Sequence, residues 1–142
     1  MNIFIIFLYI IIFYRQNGDC FRKQGVAVKG RLLCNGKPAK NEIVKIYDLD
    51  RNPGDDDDLL DEKLTNANGE FKLNGYTIEL TNIEPELRIY FDCNDADRPC
   101  MRMVTVPVPS KFIHSGKAFN WYDIGQLDLH YKIQGETRSC EY

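Results

Sequence analysis

Val26-Ala27-Val28-Lys29-Gly30-Arg31-Leu32-Leu33-Cys34, followed by Asn35-Gly36-Lys37-Pro38, is the stretch whose reading decides the fold. Val26, Val28, Gly30, Leu32 and Cys34 fall at every second position, with Ala27, Lys29, Arg31 and Leu33 between them. A period of two sends the first set to one face of an extended chain, which is a strand and not a helix. Asn-Gly-Lys-Pro ends it, because Asn and Gly tolerate left-handed backbone and Pro offers no N–H to a ladder.

The same period recurs downstream. Glu42 to Leu49 reads as a strand with apolar residues on both faces (Val44 and Ile46, Ile43 and Tyr47), hence central in a sheet. An acidic loop runs from Asp50 to Leu59. Leu64-Thr65, Asn68-Gly69 and Phe71-Lys72-Leu73 read as a hairpin. Leu87, Ile89, Phe91 and Cys93 make another strand, and Met101 to Val108 the next, with Pro107 and Pro109 placing its end at a sheet edge. Phe119–Ile124, then Leu127, Leu129, Tyr131 and Ile133, read as a final pair joined near Gly125. Tyr76 to Pro85 is expected to hold a short helical turn. About eight short strands at this spacing predict an all-β sandwich.

At 142 residues the chain has room for one domain. Its net charge of −3 lacks the basic excess that nucleic-acid binding requires. Ile3 to Tyr14 are uniformly apolar or aromatic, too short to span a bilayer as a helix, where about 20 residues are needed. That length suits a secretory signal peptide. The expectation is a signal peptide over 1–20, cut before Phe21, and a domain over 21–142. Removing Cys20 leaves Cys34, Cys93, Cys100 and Cys140, an even set suited to disulfides in an oxidising compartment. No pair has the Cys-x-x-Cys spacing of a structural zinc site.

Candidate chemistry is sparse. There is no Gly-x-Ser-x-Gly, His-Glu-x-x-His or Gly-rich phosphate loop. Asp48, Asp50 and Asn52 alternate like calcium ligands, but Pro53 stands where the EF-hand loop needs Gly and Leu59 where it needs Glu. A solvated, self-repelling acidic loop is the better reading. Phe119, Trp121 and Tyr122 cluster as aromatic anchors, with Trp121 and Tyr122 the candidate interface residues. One face of that segment must also be core.

The run from Val26 to Ala39 resembles the opening of the nematode transthyretin-like family. So do Val44-Lys45-Ile46-Tyr47-Asp48, Asp57-Asp58-Leu59-Leu60-Asp61-Glu62 and Asn68-Gly69-Glu70-Phe71. Asp92-Cys93-Asn94-Asp95 with Pro99-Cys100, then Asp123-Ile124-Gly125 and the late Cys140, are similar too. The resemblance implies a secreted prealbumin-like sandwich of two antiparallel Greek-key sheets. An enzyme on that fold, hydroxyisourate hydrolase, carries two histidines, an arginine and a terminal Tyr-Arg-Gly-Ser. Here the end is Ser139-Cys140-Glu141-Tyr142, and His114 and His130 read as solvated surface side chains.

Closing the short polar connection would pair Cys93 with Cys100 and leave Cys34 to meet Cys140, although a crossed arrangement stays open. Either way the cysteines act as staples. The functional expectation is a secreted, non-catalytic binding protein, extracellular or at the cell surface and not membrane-spanning. It needs no cofactor or metal. Its partner is an apolar small molecule or lipid, or an extracellular protein such as a receptor. A hydroxyisourate-hydrolase-like enzyme and a structural extracellular component are the alternatives.

Overall fold

The computed structural model describes residues 21–116 and 120–142, so the expected signal peptide and Phe119 lie outside the described residues. Among the described residues nine strands follow in chain order: β1 (Arg22–Cys34), β2 (Lys37–Pro38), β3 (Ile43–Asp48), β4 (Asp58–Leu64), β5 (Glu70–Glu79), β6 (Pro85–Phe91), β7 (Met101–Pro107), β8 (Tyr122–Asp128) and β9 (Thr137–Ser139). Among the described residues one 3-10 turn covers Ser110–Phe112. Among the described residues no helix is long and apolar enough to cross a membrane.

The two sheets form a sandwich. In the first, β1 is central: β5 pairs antiparallel along Arg22–Arg31, β2 continues that flank, and β8 lies on the other. The second sheet runs β4-β3-β6-β7-β9, antiparallel throughout. Alternation fills the space between them. Val26, Val28, Leu32 and Leu73 from the first sheet meet Val44, Ile46, Leu87, Ile89 and Phe91 from the second, all fully buried. Each such side chain removed from water contributes about 1.5–3 kcal/mol.

Several expectations give way to the tertiary structure. The Asn68-Gly69 turn does not make a hairpin. β4 pairs with β3 in one sheet and β5 with β1 in the other, so the turn carries the chain between sheets. It is built by Asn66, whose side-chain oxygen accepts the N–H groups of Asn68 and Glu70. Tyr76 to Pro85 is not helical, because β5 keeps its ladder with β1 as far as Glu79. The expected final strand pair is one strand, β8, which passes through Gly125 and lies parallel to β1; Leu129 and His130 form a turn, and Tyr131 to Ile133 are irregular.

The cysteine pairing is also corrected. The bonds are Cys34–Cys93 and Cys100–Cys140, with Cα–Cα distances of 5.9 and 4.4 Å. Cys34 ends β1 and Cys93 follows β6, so the first bond ties one sheet to the other at one end of the sandwich. The second follows from register. Met101 faces Ser139 across the β7–β9 ladder, which brings the flanking Cys100 and Cys140 together.

The acidic loop is anchored. Asp57 pairs with Arg88 and accepts the Asp50 N–H, while Asp50 accepts the N–H of Asn52. The Arg88 guanidinium holds the Asp57 carboxyl below the usual range. Two of the loop's carboxylates are thus committed to protein partners.

Candidate functional site

Residues directly opposite in an antiparallel ladder share a face. On the outer face of the first sheet the rungs are therefore Lys23–Ile78, Gly25–Tyr76, Ala27–Asn74, Lys29–Lys72 and Arg31–Glu70. Phe21 and Leu80 flank the first of these. Phe21, Tyr76, Ile78 and Leu80 are 61%, 59%, 57% and 53% exposed, so four large apolar groups crowd one end of this face. The Lys23 ammonium sits 3.9 Å from the Tyr76 ring centroid, a cation–π contact.

At the other end of the face is an open cleft of about 440 Å³, lined by Lys29, Arg31, Lys72, Glu70, Asp123 and Gln126 among others. Lys29 reaches Asp123 at 3.7 Å. Lys29 and Lys72 stand directly opposite each other, an arrangement that disfavours the isolated sheet.

These residues were not singled out from the sequence. Their signal was present as the alternation of Lys72, Asn74, Tyr76, Ile78 and Leu80 with Phe71, Leu73 and Gly75, and the expected helical turn hid it. Trp121, just before β8, is half-buried. Tyr122 packs against the core with its ring centroid 4.9 Å from that of Phe112.

His114 is buried, not solvated. It exchanges two backbone hydrogen bonds with Gly25, its Nδ1 lies 3.0 Å from the Gly116 carbonyl oxygen, and its Nε2 has no partner among the described residues. His130 is half-buried in the turn after β8, beside Cys34 and Cys93. Since both sulfurs are in a disulfide, the trio offers no thiolate to a metal. Gly25 and Cys34 are at opposite ends of β1, roughly 30 Å apart at about 3.3 Å per residue. The two histidines therefore do not converge.

The disulfide end is organised by two arginines. Arg138 binds both Asp95 oxygens at 2.7 and 2.8 Å and the carbonyls of Pro99 and Cys100. Buried Arg102 binds Glu136 and three backbone carbonyls. Nearby, burial raises the Glu42 carboxyl to about 7, and the Asp92 charge adds to the rise.

The Transthyretin-like family model matches residues 29–109, more than half of the chain. The chain belongs to the transthyretin-like family. Transthyretin-like protein 5 of Caenorhabditis elegans is 46% identical over 118 residues, covering 82% of this chain and 84% of its own. Transthyretin-like protein 33 of the same organism is 42% identical, covering 82% of each chain. Transthyretin-like protein 46 is 47% identical over 82% of this chain and 66% of its own. Among solved structures, part of a 9R-lipoxygenase from Cyanothece aligns at a TM-score of 0.42 and 25% identity, covering 75% of this chain and 17% of that one. At that score the likeness carries no argument. The family accounts for the sandwich, while the exposed face of β1 and β5 is read from this chain's own residues.

Proposed function

We propose that this transthyretin-like protein is a secreted, non-catalytic binding module that docks a protein partner, in the extracellular space or at a cell surface, through the outer face of its first sheet. The exposed group Phe21, Tyr76, Ile78 and Leu80 carries the reading. Apolar side chains gathered on one face and rimmed by charge mark interaction surfaces. Lys23, Lys29 and Lys72 on the same face favour a partner with an apolar centre and an acidic margin. Secretion is supported by the apolar leader and by four cysteines held in two disulfides. A non-catalytic role is supported by the separation of the two histidines, His114 beside Gly25 and His130 beside Cys34.

The test is saturable binding of labelled secreted protein to intact cells, compared with the Ile78→Asp, Leu80→Asp variant. Binding lost in a variant with an unchanged circular dichroism spectrum supports docking on this face. Equal binding by both proteins overturns it. An absence of saturable binding favours a structural extracellular component.

A second reading rests on a different feature. An open cleft of about 310 Å³ is lined by Leu49, Ile83, Pro85, Pro107, Val108 and Ile113, with Arg51 paired to Glu84 at its margin. That volume is at the lower end for a small-molecule site. Native mass spectrometry of unrefolded secreted protein tests it: a reproducible adduct of a few hundred daltons supports a small apolar ligand, and a clean mass removes that reading. The same spectrum tests cleavage before Phe21.

A further inference from the structure

We propose that the two cystines differ in kind: Cys34–Cys93 is permanent, whereas Cys100–Cys140 is a reversible redox site open to an external dithiol. Thiol–disulfide exchange begins with a thiolate reaching a sulfur, so access decides which bond reacts. Cys93 is only 8% exposed and belongs to the core cluster, with Cys34 packed against it. Cys140 is exposed, and Cys100 is half-buried and lines an open cleft of about 450 Å³.

The backbone between the two bonds points the same way. Asn94, Ala96, Asp97 and Cys100 all have positive φ, at 53°, 48°, 56° and 67°. Left-handed backbone is uphill for L residues, least so for Asn and Asp, so this connection holds strain that opening of the second bond lets Cys100 release. The surroundings stay tied without that bond. β9 remains on β7 through the Met101–Ser139, Arg102–Arg138 and Met103–Thr137 pairs, and Arg138 still grips Asp95. Opening is therefore local. It loosens the hold on the segment from Cys140 to Tyr142, where the Tyr142 ring lies 6.4 Å from that of Tyr90 on the outer face of the second sheet.

The chemistry balances with a dithiol as the reductant. Its thiolate attacks Cys140 Sγ, the Cys100–Cys140 bond breaks, and Cys100 leaves as a thiolate that takes up a proton. The second thiol of the reductant then displaces Cys140. Two electrons and two protons pass to the cysteine pair, and the reductant becomes a disulfide.

Graded dithiothreitol added to the native, full-length secreted protein, quenched with iodoacetamide and mapped by peptide mass spectrometry, tests the assignment. The expected result is alkylation of Cys100 and Cys140 at least tenfold faster than of Cys34 and Cys93, with the circular dichroism spectrum unchanged. Simultaneous labelling of all four cysteines, labelling of Cys34 or Cys93 first, or labelling of Cys100 and Cys140 only with loss of the β spectrum overturns it.

Discussion

Arg102 holds Glu136 through two parallel contacts, Nε on Oε1 and Nη2 on Oε2, both 2.7 Å long. Its other N–H groups go to the carbonyls of Cys93, Leu129 and Tyr131, and its guanidinium lies 4.6 Å from the Phe91 ring centroid. All five donors are used, which makes burial of this charge tolerable. Replacing Arg102 by Ala leaves Glu136 and three carbonyls without their donor. The expected loss is about 3–5 kcal/mol, read from urea unfolding. Arg102→Lys rescues little, since an ammonium cannot reproduce the fork. A loss below about 1 kcal/mol for Arg102→Ala contradicts this account.

The acid limb of stability follows from four carboxylates held below their ordinary values. Arg102 does this for Glu136, Arg138 for Asp95, Arg88 for Asp57, and the His130 backbone N–H, followed by those of Gly36 and Asn35, for Asp128. A depressed carboxyl stabilises the folded state above its unfolded value and loses that contribution as pH falls through the folded one. The urea midpoint should therefore drop steeply below the unfolded values of 4.5 for Glu and 3.8 for Asp. Glu136→Gln should flatten part of that decline.

Glu42 acts with the opposite sign. Raised from 4.5 to about 7, it binds a proton more readily folded than unfolded, so stability falls as pH climbs between those values. Glu42→Gln should raise the melting temperature at pH 8 and have little effect near pH 4.5. An equal shift at both pH values argues against burial as the cause.

Two glycines with the same φ of +75° should respond differently to alanine. At Gly36 the Cβ meets nothing within 4 Å, so the cost is that of left-handed backbone, about 1–2 kcal/mol. At Gly69 it would lie 2.2 Å from the Leu32 carbonyl oxygen, beside the point where the Leu32 N–H donates to the Gly69 carbonyl oxygen. Gly69→Ala should cost clearly more, and equal melting temperatures for the two variants would sink the distinction.

Local rules were legible wherever a residue answers only to its sequence neighbours. The alternation in β1, the turn at Asn35-Gly36 and the central position of β3 all come from that level. Asn68-Gly69 shows its limit. The dipeptide specifies a tight reversal, but whether the flanking strands pair with each other depends on partners far along the chain. β9 gave no signal at all, since Thr137-Arg138-Ser139 has no apolar face to bury. Without β9 there was no register to bring Cys100 to Cys140.

The apolar–polar period by itself determined that this chain makes strands, how they bury one face and that they stack as a sandwich, because that pattern is local and burial is its driving force. Only the tertiary structure decided which strands are neighbours, which cysteines meet and which apolar side chains stay outside. Those outcomes depend on register and sheet-to-sheet packing between distant segments. That is why Tyr76 and Ile78 are exposed while His114 is buried.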